Sequence, residues 1–142
     1  MFRLNNVEFE IDDAESIFYI DNKNENGIRF ALDVDCQSAE YDGWDLAPSI
    51  CINFFKTTAK SIHELIEIEV FVNSLEEADD REDTLYLFEH EPFEKYSFKI
   101  LESKDGKVHV LCKGVAVTDG YSEPYISAPF ELDAWIRAKL ME

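Results

Sequence analysis

Apolar residues recur at every second position through much of this chain, and that period of two commits it to β-structure. Phe9 and Ile11 alternate with Glu8 and Glu10. Ile28, Phe30 and Leu32 lead into Val34, and Ile66, Ile68, Val70 and Val72 alternate with Glu67 and Glu69. Such spacing buries one face of a strand and wets the other. Turn signals separate the runs. The Asn26-Gly27 dipeptide, at the end of the polar segment from Asn22, favours positive φ and a tight hairpin reversal. Asp105-Gly106 does so more strongly, between a run of Tyr96, Phe98 and Ile100 and a run of Leu111, Val115 and Val117. A two-residue loop there pairs Lys104 with Lys107, and on that register Ile100 faces Leu111 and Tyr96 faces Val115.

Helix signals are few. Asp133 is placed as an N-cap ahead of Ala134, Trp135, Ile136 and Leu140, with Lys139 in the closing turn, which predicts a short C-terminal helix. Ser61 with Glu64, and Ser74 with Glu77, have capping-box spacing on either side of the Ile66 to Val72 run. The expected fold is therefore mainly β, or α+β: an antiparallel sandwich or strongly curved sheet with a short helix at its C-terminus. Glu76 to Asp83 reads as a mobile surface loop, because its charge density resists burial. No repeat or linker divides residues 1–142, and a single acidic β-rich domain of that length buries about 70% of its unfolded surface. Cys36, Cys51 and Cys112 are odd in number, widely spaced and set among apolar neighbours, so reduced, mostly buried thiols are expected. With no signal sequence between Met1 and Glu10 and no apolar run of membrane length, the expected location is cytoplasmic.

Charge then narrows the partner. The formal net charge is -18, and residues 61 to 94 hold twelve carboxylates against one base, Arg81. Residues 1 to 55 carry twelve acids against Arg3, Lys23 and Arg29, whereas residues 95 to 142 balance seven acids with seven bases. One part of the surface should be strongly negative and another nearly neutral. A field of that kind raises the encounter rate with a basic protein about 10 to 1,000-fold at low salt, and it repels the phosphates of nucleic acid and anionic lipid. Direct nucleic-acid and membrane binding are thus disfavoured. Acidity that serves solubility alone is the competing explanation.

No stretch encodes a recognisable chemistry. Asn22, Asn24, Asn26, Gly27 and Asp33 partly imitate a calcium loop, but the first ligand is not Asp, the last is not Glu, and the flanks read as strands. Asp79, Asp80, Glu82 and Asp83 read as a solvated charge run rather than a metal site. His63, His90 and His109 accompany no nucleophile elbow, and Cys112 beside Lys113 reads as core packing. There is no P-loop, dinucleotide fingerprint or paired-His metal helix, so neither a cofactor nor a metal is expected.

Aromatics set beside acids are the more useful pattern. Tyr41, Asp42, Gly43, Trp44 and Asp45 form one such segment; Gly120, Tyr121, Glu123, Pro124 and Tyr125 form another. Large aromatics bring contact area at small entropic cost, while adjacent carboxylates receive Arg or Lys from a partner. Small size, reduced cysteines, β-rich patterning, acidity and the lack of a catalytic signature together resemble bacterial immunity proteins, which neutralise toxin domains that are often basic. That resemblance implies a non-enzymatic binding domain whose acidic surface occupies the cationic groove of a toxin, with a nuclease as the leading candidate. Glu76, Glu77, Asp79, Asp80, Glu82 and Asp83 would supply charge, with Tyr41 and Trp44 as anchors. A second reading is a ligand-binding or enzymatic curved sheet around a pocket of Phe54, Phe55, Phe71, Phe88, Phe93 and Phe98. A third is a structural or assembly subunit that self-associates at a sheet edge, with its oligomeric state left open.

Overall fold

The structure is a computed structural model that describes residues 1–66 and 68–141. Twelve strands and two short helices follow in chain order: β1 (Phe2–Leu4), β2 (Val7–Phe9), β3 (Ile17–Asp21), β4 (Arg29–Asp35), β5 (Ala39–Tyr41), β6 (Trp44–Leu46), β7 (Ser49–Lys56), α1 (Ile62–Leu65), β8 (Glu69–Val72), α2 (Leu75–Arg81), β9 (Thr84–Tyr86), β10 (His90–Lys104), β11 (Lys107–Asp119) and β12 (Ile126–Leu140). Seven of them close into a barrel in the order β11, β10, β9, β7, β4, β3, β12 and back to β11. The expected mainly β fold forms, as a closed barrel, which is a strongly curved sheet rather than specifically a sandwich. All of these pairings are antiparallel except β12 with β3. The β1–β2 hairpin extends the sheet from β12, and β8 adds to the outer part of β10 through Tyr96 to Lys99.

The expected C-terminal helix is strand instead. Ala128, Phe130, Leu132, Ala134 and Ile136 are buried at alternate positions, and β12 pairs with β11 from Ile126 to Arg137. Two partners far away in sequence, β11 and β3, thus outweigh the local capping signal at Asp133. The Asp105-Gly106 turn forms as expected, with φ of 54° and 77° and Lys104 opposite Lys107. Its register then slips by one. A bulge between Ile100 and Glu102 leaves Leu101 unpaired, so Ile100 faces Val110 and Tyr96 faces Gly114 rather than Leu111 and Val115. A second bulge between Phe93 and Lys95 changes which side of β10 is buried, from Phe93 to Tyr96, Phe98 and Ile100. Gly114 belongs to this crowding, since a Cβ there would collide with the Lys95 carbonyl and Tyr96 Cα.

Both capping signals hold. Ser61 and Glu64 form a reciprocal capping box at α1, and the Ser74 hydroxyl accepts from the Glu77 amide at the start of α2. The strand expected from Ile66 accordingly begins only at Glu69, and Glu67 lies outside the described residues. The hairpin at Asn26-Gly27 is looser than expected. β3 and β4 pair from Asp21 with Arg29, and Gly27, at a φ of 151°, sits against the Thr57 carbonyl where a side chain would not fit.

Aromatic rings fill the interior. Phe30 stacks within 5.6 Å of Phe18, Phe55 and Phe98, while Phe93 contacts Phe130 and Tyr96. The six phenylalanines of the pocket reading do not line one space: Phe93 and Phe98 are core, Phe54 lies under Arg29, and Phe71 and Phe88 are exposed. Cys36 and Cys112 are buried and Cys51 half-buried, and all three are free thiols. Burial pushes Cys36 up to about 12 and Cys51 up to about 11, which keeps them poor nucleophiles.

The Glu76 to Asp83 segment is not a loop. Ser74 caps it, Ala78 is buried, Leu75 is half-buried, and Glu82 ends it in a left-handed conformation, so most of it is helix. Asp83 is 0% exposed, which removes it from the acidic surface. Its carboxylate accepts from the Asn53 amide at 2.8 Å, Arg81 Nε at 2.7 Å and the Tyr96 hydroxyl at 2.5 Å. Arg81 also donates to the carbonyls of Asn53 and Phe54 and lies 3.6 Å over the Phe55 ring. A buried charge stripped of its partner is costly. Asp83→Ala should therefore lose about 3–5 kcal/mol of stability in urea unfolding, whereas Asp80→Ala, at an exposed position close by in the chain, should change it by less than about 0.5 kcal/mol.

Candidate functional site

Barrel topology brings three connections to one end. β4 ends where β7 begins, β9 ends where β10 begins, and β11 ends where β12 begins, with Asp35 opposite Ser49, Ser49 opposite Tyr86, and Asp119 opposite Ile126. The first connection carries the β5–β6 hairpin. Its two-residue turn, Asp42-Gly43, has φ of 52° and 82°, a hairpin geometry that suits Asp-Gly and sets Tyr41 opposite Trp44. Tyr41 is half-buried against Phe9 at 6.4 Å, whereas Trp44 remains 62% exposed and meets Phe88 edge-on at 6.0 Å. Asp42 and Asp45 are exposed beside them.

The third connection is built on Asp119. Its carboxylate accepts from the Tyr121 amide at 2.9 Å and the Ser122 hydroxyl at 2.8 Å, and these bonds hold it well below the usual carboxylate range. Tyr121 projects from this turn at 80% exposure, and Glu123 follows it, also exposed. Tyr125 ties the segment back to β10 through its hydroxyl, which donates to Glu94 at 2.9 Å.

Between these connections lies a recess of about 320 Å³ lined by Trp44, Phe88, Tyr121, Glu89, Glu91, Asp119 and the backbone at Gly120. A neighbouring recess of about 400 Å³ is lined by Tyr41, Asp42, Phe88, Asn5, Asp119 and Ile126. The two aromatic–acidic segments read from the sequence thus meet, with Phe88 forming a wall common to both recesses. A Cβ at Gly120 would fall on the Glu91 carboxylate, so a side chain there would displace that carboxylate from its present position. Burial is the main cause that raises the Glu91 carboxyl above its ordinary range, followed by the charges of Asp119 and Glu89; a hydrogen bond from the Gly120 amide opposes them.

The α2 acids are elsewhere. Glu76, Asp79, Asp80 and Glu82 are exposed and Glu77 is half-buried on a helix that packs against β10. From Glu82 to Phe88 the chain runs along β9, a span of up to about 20 Å at 3.3 Å per residue. Those acids do not line the recess. Sequence reasoning named Phe88 only for the aromatic-pocket reading, and it did not single out Glu91 or Asp119 for the contact surface. The run Phe88, Glu89, His90, Glu91 has the same aromatic-beside-acid pattern as Trp44 and Asp45, and Asp119 immediately precedes the second segment.

Burial of Glu91, with the like charges of Asp119 and Glu89 beside it, has a measurable consequence. Its raised folded-state value means that the ionised form is disfavoured by folding, so its contribution is most favourable below the unfolded value and is lost as pH rises through the folded one. Glu91→Gln should accordingly raise Tm at pH 7 by about 1–2 °C, and scanning calorimetry should show that gain vanish as pH falls below the carboxylate range. No known protein family, curated protein or solved structure matches the chain.

Proposed function

We propose that the protein is a non-enzymatic binding domain for a basic protein, of the kind represented by toxin-neutralising immunity proteins, and that the aromatic end of the barrel is its contact surface. The observation that carries this reading is the meeting of Trp44, Phe88 and Tyr121, all exposed, with Glu89, Glu91 and Asp119 at one end of a rigid barrel. Large aromatics left in water cost solvation and stand ready as anchors, and carboxylates beside them select a cationic counterpart. The formal charge of -18 acts at longer range, with Glu76, Asp79, Asp80 and Glu82 adding to the field that draws a basic partner in. The bound partner's activity is blocked because the acidic surface occupies the groove that otherwise receives phosphate, as expected for a nuclease toxin.

Anchors and field separate kinetically. Reversing Glu76, Asp79, Asp80 and Glu82 to Lys should slow association at least about tenfold and leave dissociation nearly unchanged. Trp44→Ala with Tyr121→Ala should instead speed dissociation. The decisive measurement is capture from the native cells at low salt with elution by a salt step. One basic protein should be recovered at equal stoichiometry, lost with the Trp44 and Tyr121 double variant, and inhibited when the purified pair is mixed. Equal recovery by wild type and double variant, or an uninhibited partner, would overturn the reading.

A further inference from the structure

We propose that the recess between Trp44, Phe88 and Tyr121 is a clamp for one arginine side chain of the partner, with Glu91 and Asp119 as the receiving carboxylates; this rests on the protein-binding reading above. Three features of the recess converge on a guanidinium. Its lining is rich in aromatics: Trp44 and Phe88 meet edge-on at 6.0 Å, and Tyr121 lines the same space. A planar, weakly hydrated cation stacks on such walls, whereas a compact ammonium keeps its water. Glu91 and Asp119 line the same recess, where Glu91 lies against Gly120 and Asp119 is fixed by the Ser122 hydroxyl and the Tyr121 amide. Two carboxylates held close together by the fold repel one another and are relieved by a fork of N–H donors that reaches both.

Size agrees. A space of about 320 Å³ admits a side chain with its hydration but is small for a helix or strand, so the occupant enters end-on from a partner surface. The glycine at 120 is part of the device. It lets the Glu91 carboxylate lie directly on the backbone, where the Gly120 amide donates to it, and keeps the recess open above. Nothing in the cluster itself supplies the missing positive charge: its bases would have to come from Glu89, Glu91, Asp119, Trp44, Phe88, Thr118, Gly120 or Tyr121, and none of these is a cation.

The test uses the intact chain, labelled with nitrogen-15, and N-acetyl-arginine methylamide as the probe at fixed ionic strength. Saturable shifts should be confined to the amides of residues 44, 88–91 and 118–121, with a dissociation constant in the millimolar range. Glu91→Gln and Trp44→Ala should each weaken binding at least about fivefold. The citrulline analogue, isosteric but neutral, should not saturate, and the lysine analogue should bind more weakly than arginine. Equal response to citrulline, no saturation by arginine, or shifts spread over α2 would overturn the clamp. Failure here is distinguishable from failure of the binding reading, because a partner still captured by wild type and lost with the Trp44 and Tyr121 double variant would leave that reading in place.

Discussion

Closure of the barrel depends on the way β12 divides its two edges. One edge pairs with β11 from Ile126 to Arg137; the other gives Phe130 to Leu132 to β1 and Ala138 to Leu140 to β3. Without the parallel join to β3 the sheet would be open, and the two bulges in β10 supply the curvature that lets the ends meet. Closure fixes the function-bearing end. The turn at residues 120–125, the Phe88 corner and the β5–β6 hairpin come from connections that are distant in sequence, yet the barrel wall leaves them little freedom relative to one another. A site assembled on such a frame loses little entropy when a partner docks.

How much of this was legible follows from the range of the forces involved. The Asp105-Gly106 turn and the two serine caps act within a few residues and appear where the sequence places them, whereas the period-two run from Ile66 becomes strand only at Glu69. The C-terminal strand depends on β11 and β3 instead. Asp133 does fit an N-cap, but Ala128, Phe130, Leu132, Ala134 and Ile136 alternate over nine residues, and burial along that face is worth more than one cap. The register of the β10–β11 hairpin illustrates the same limit: the turn sets its first three pairs, and the bulge at Leu101 resets the remainder.

Charge was legible as a sum and not as a distribution. Asp83 looks like its neighbours in composition, but Asn53 and Tyr96 are 30 and 13 positions away, and only the fold brings them to its carboxylate. The same network uses Arg81, the one base among residues 61 to 94, as an internal tie between α2 and β7. A sequence count that sets Arg81 against the acids therefore overstates how far that segment neutralises itself. Its exposed carboxylates face water while the cation beside them is committed to the barrel wall.

The two acidic regions differ in what fixes them, and so in what a cation gains from each. On α2 the carboxylates sit on exposed side chains, in high dielectric, where a single approaching charge gains little and salt screens it within about 10 Å. At the barrel end Glu91 is partly desolvated and lies against Gly120, with the Asp119 charge pinned beside it by two hydrogen bonds. A cation there gains more per contact, because burial has already removed some of the water that would compete with it. On the proposed reading, long-range attraction falls to the α2 acids and short-range selection to the barrel end, and the raised Glu91 carboxyl marks the part of the arrangement that folding alone does not favour.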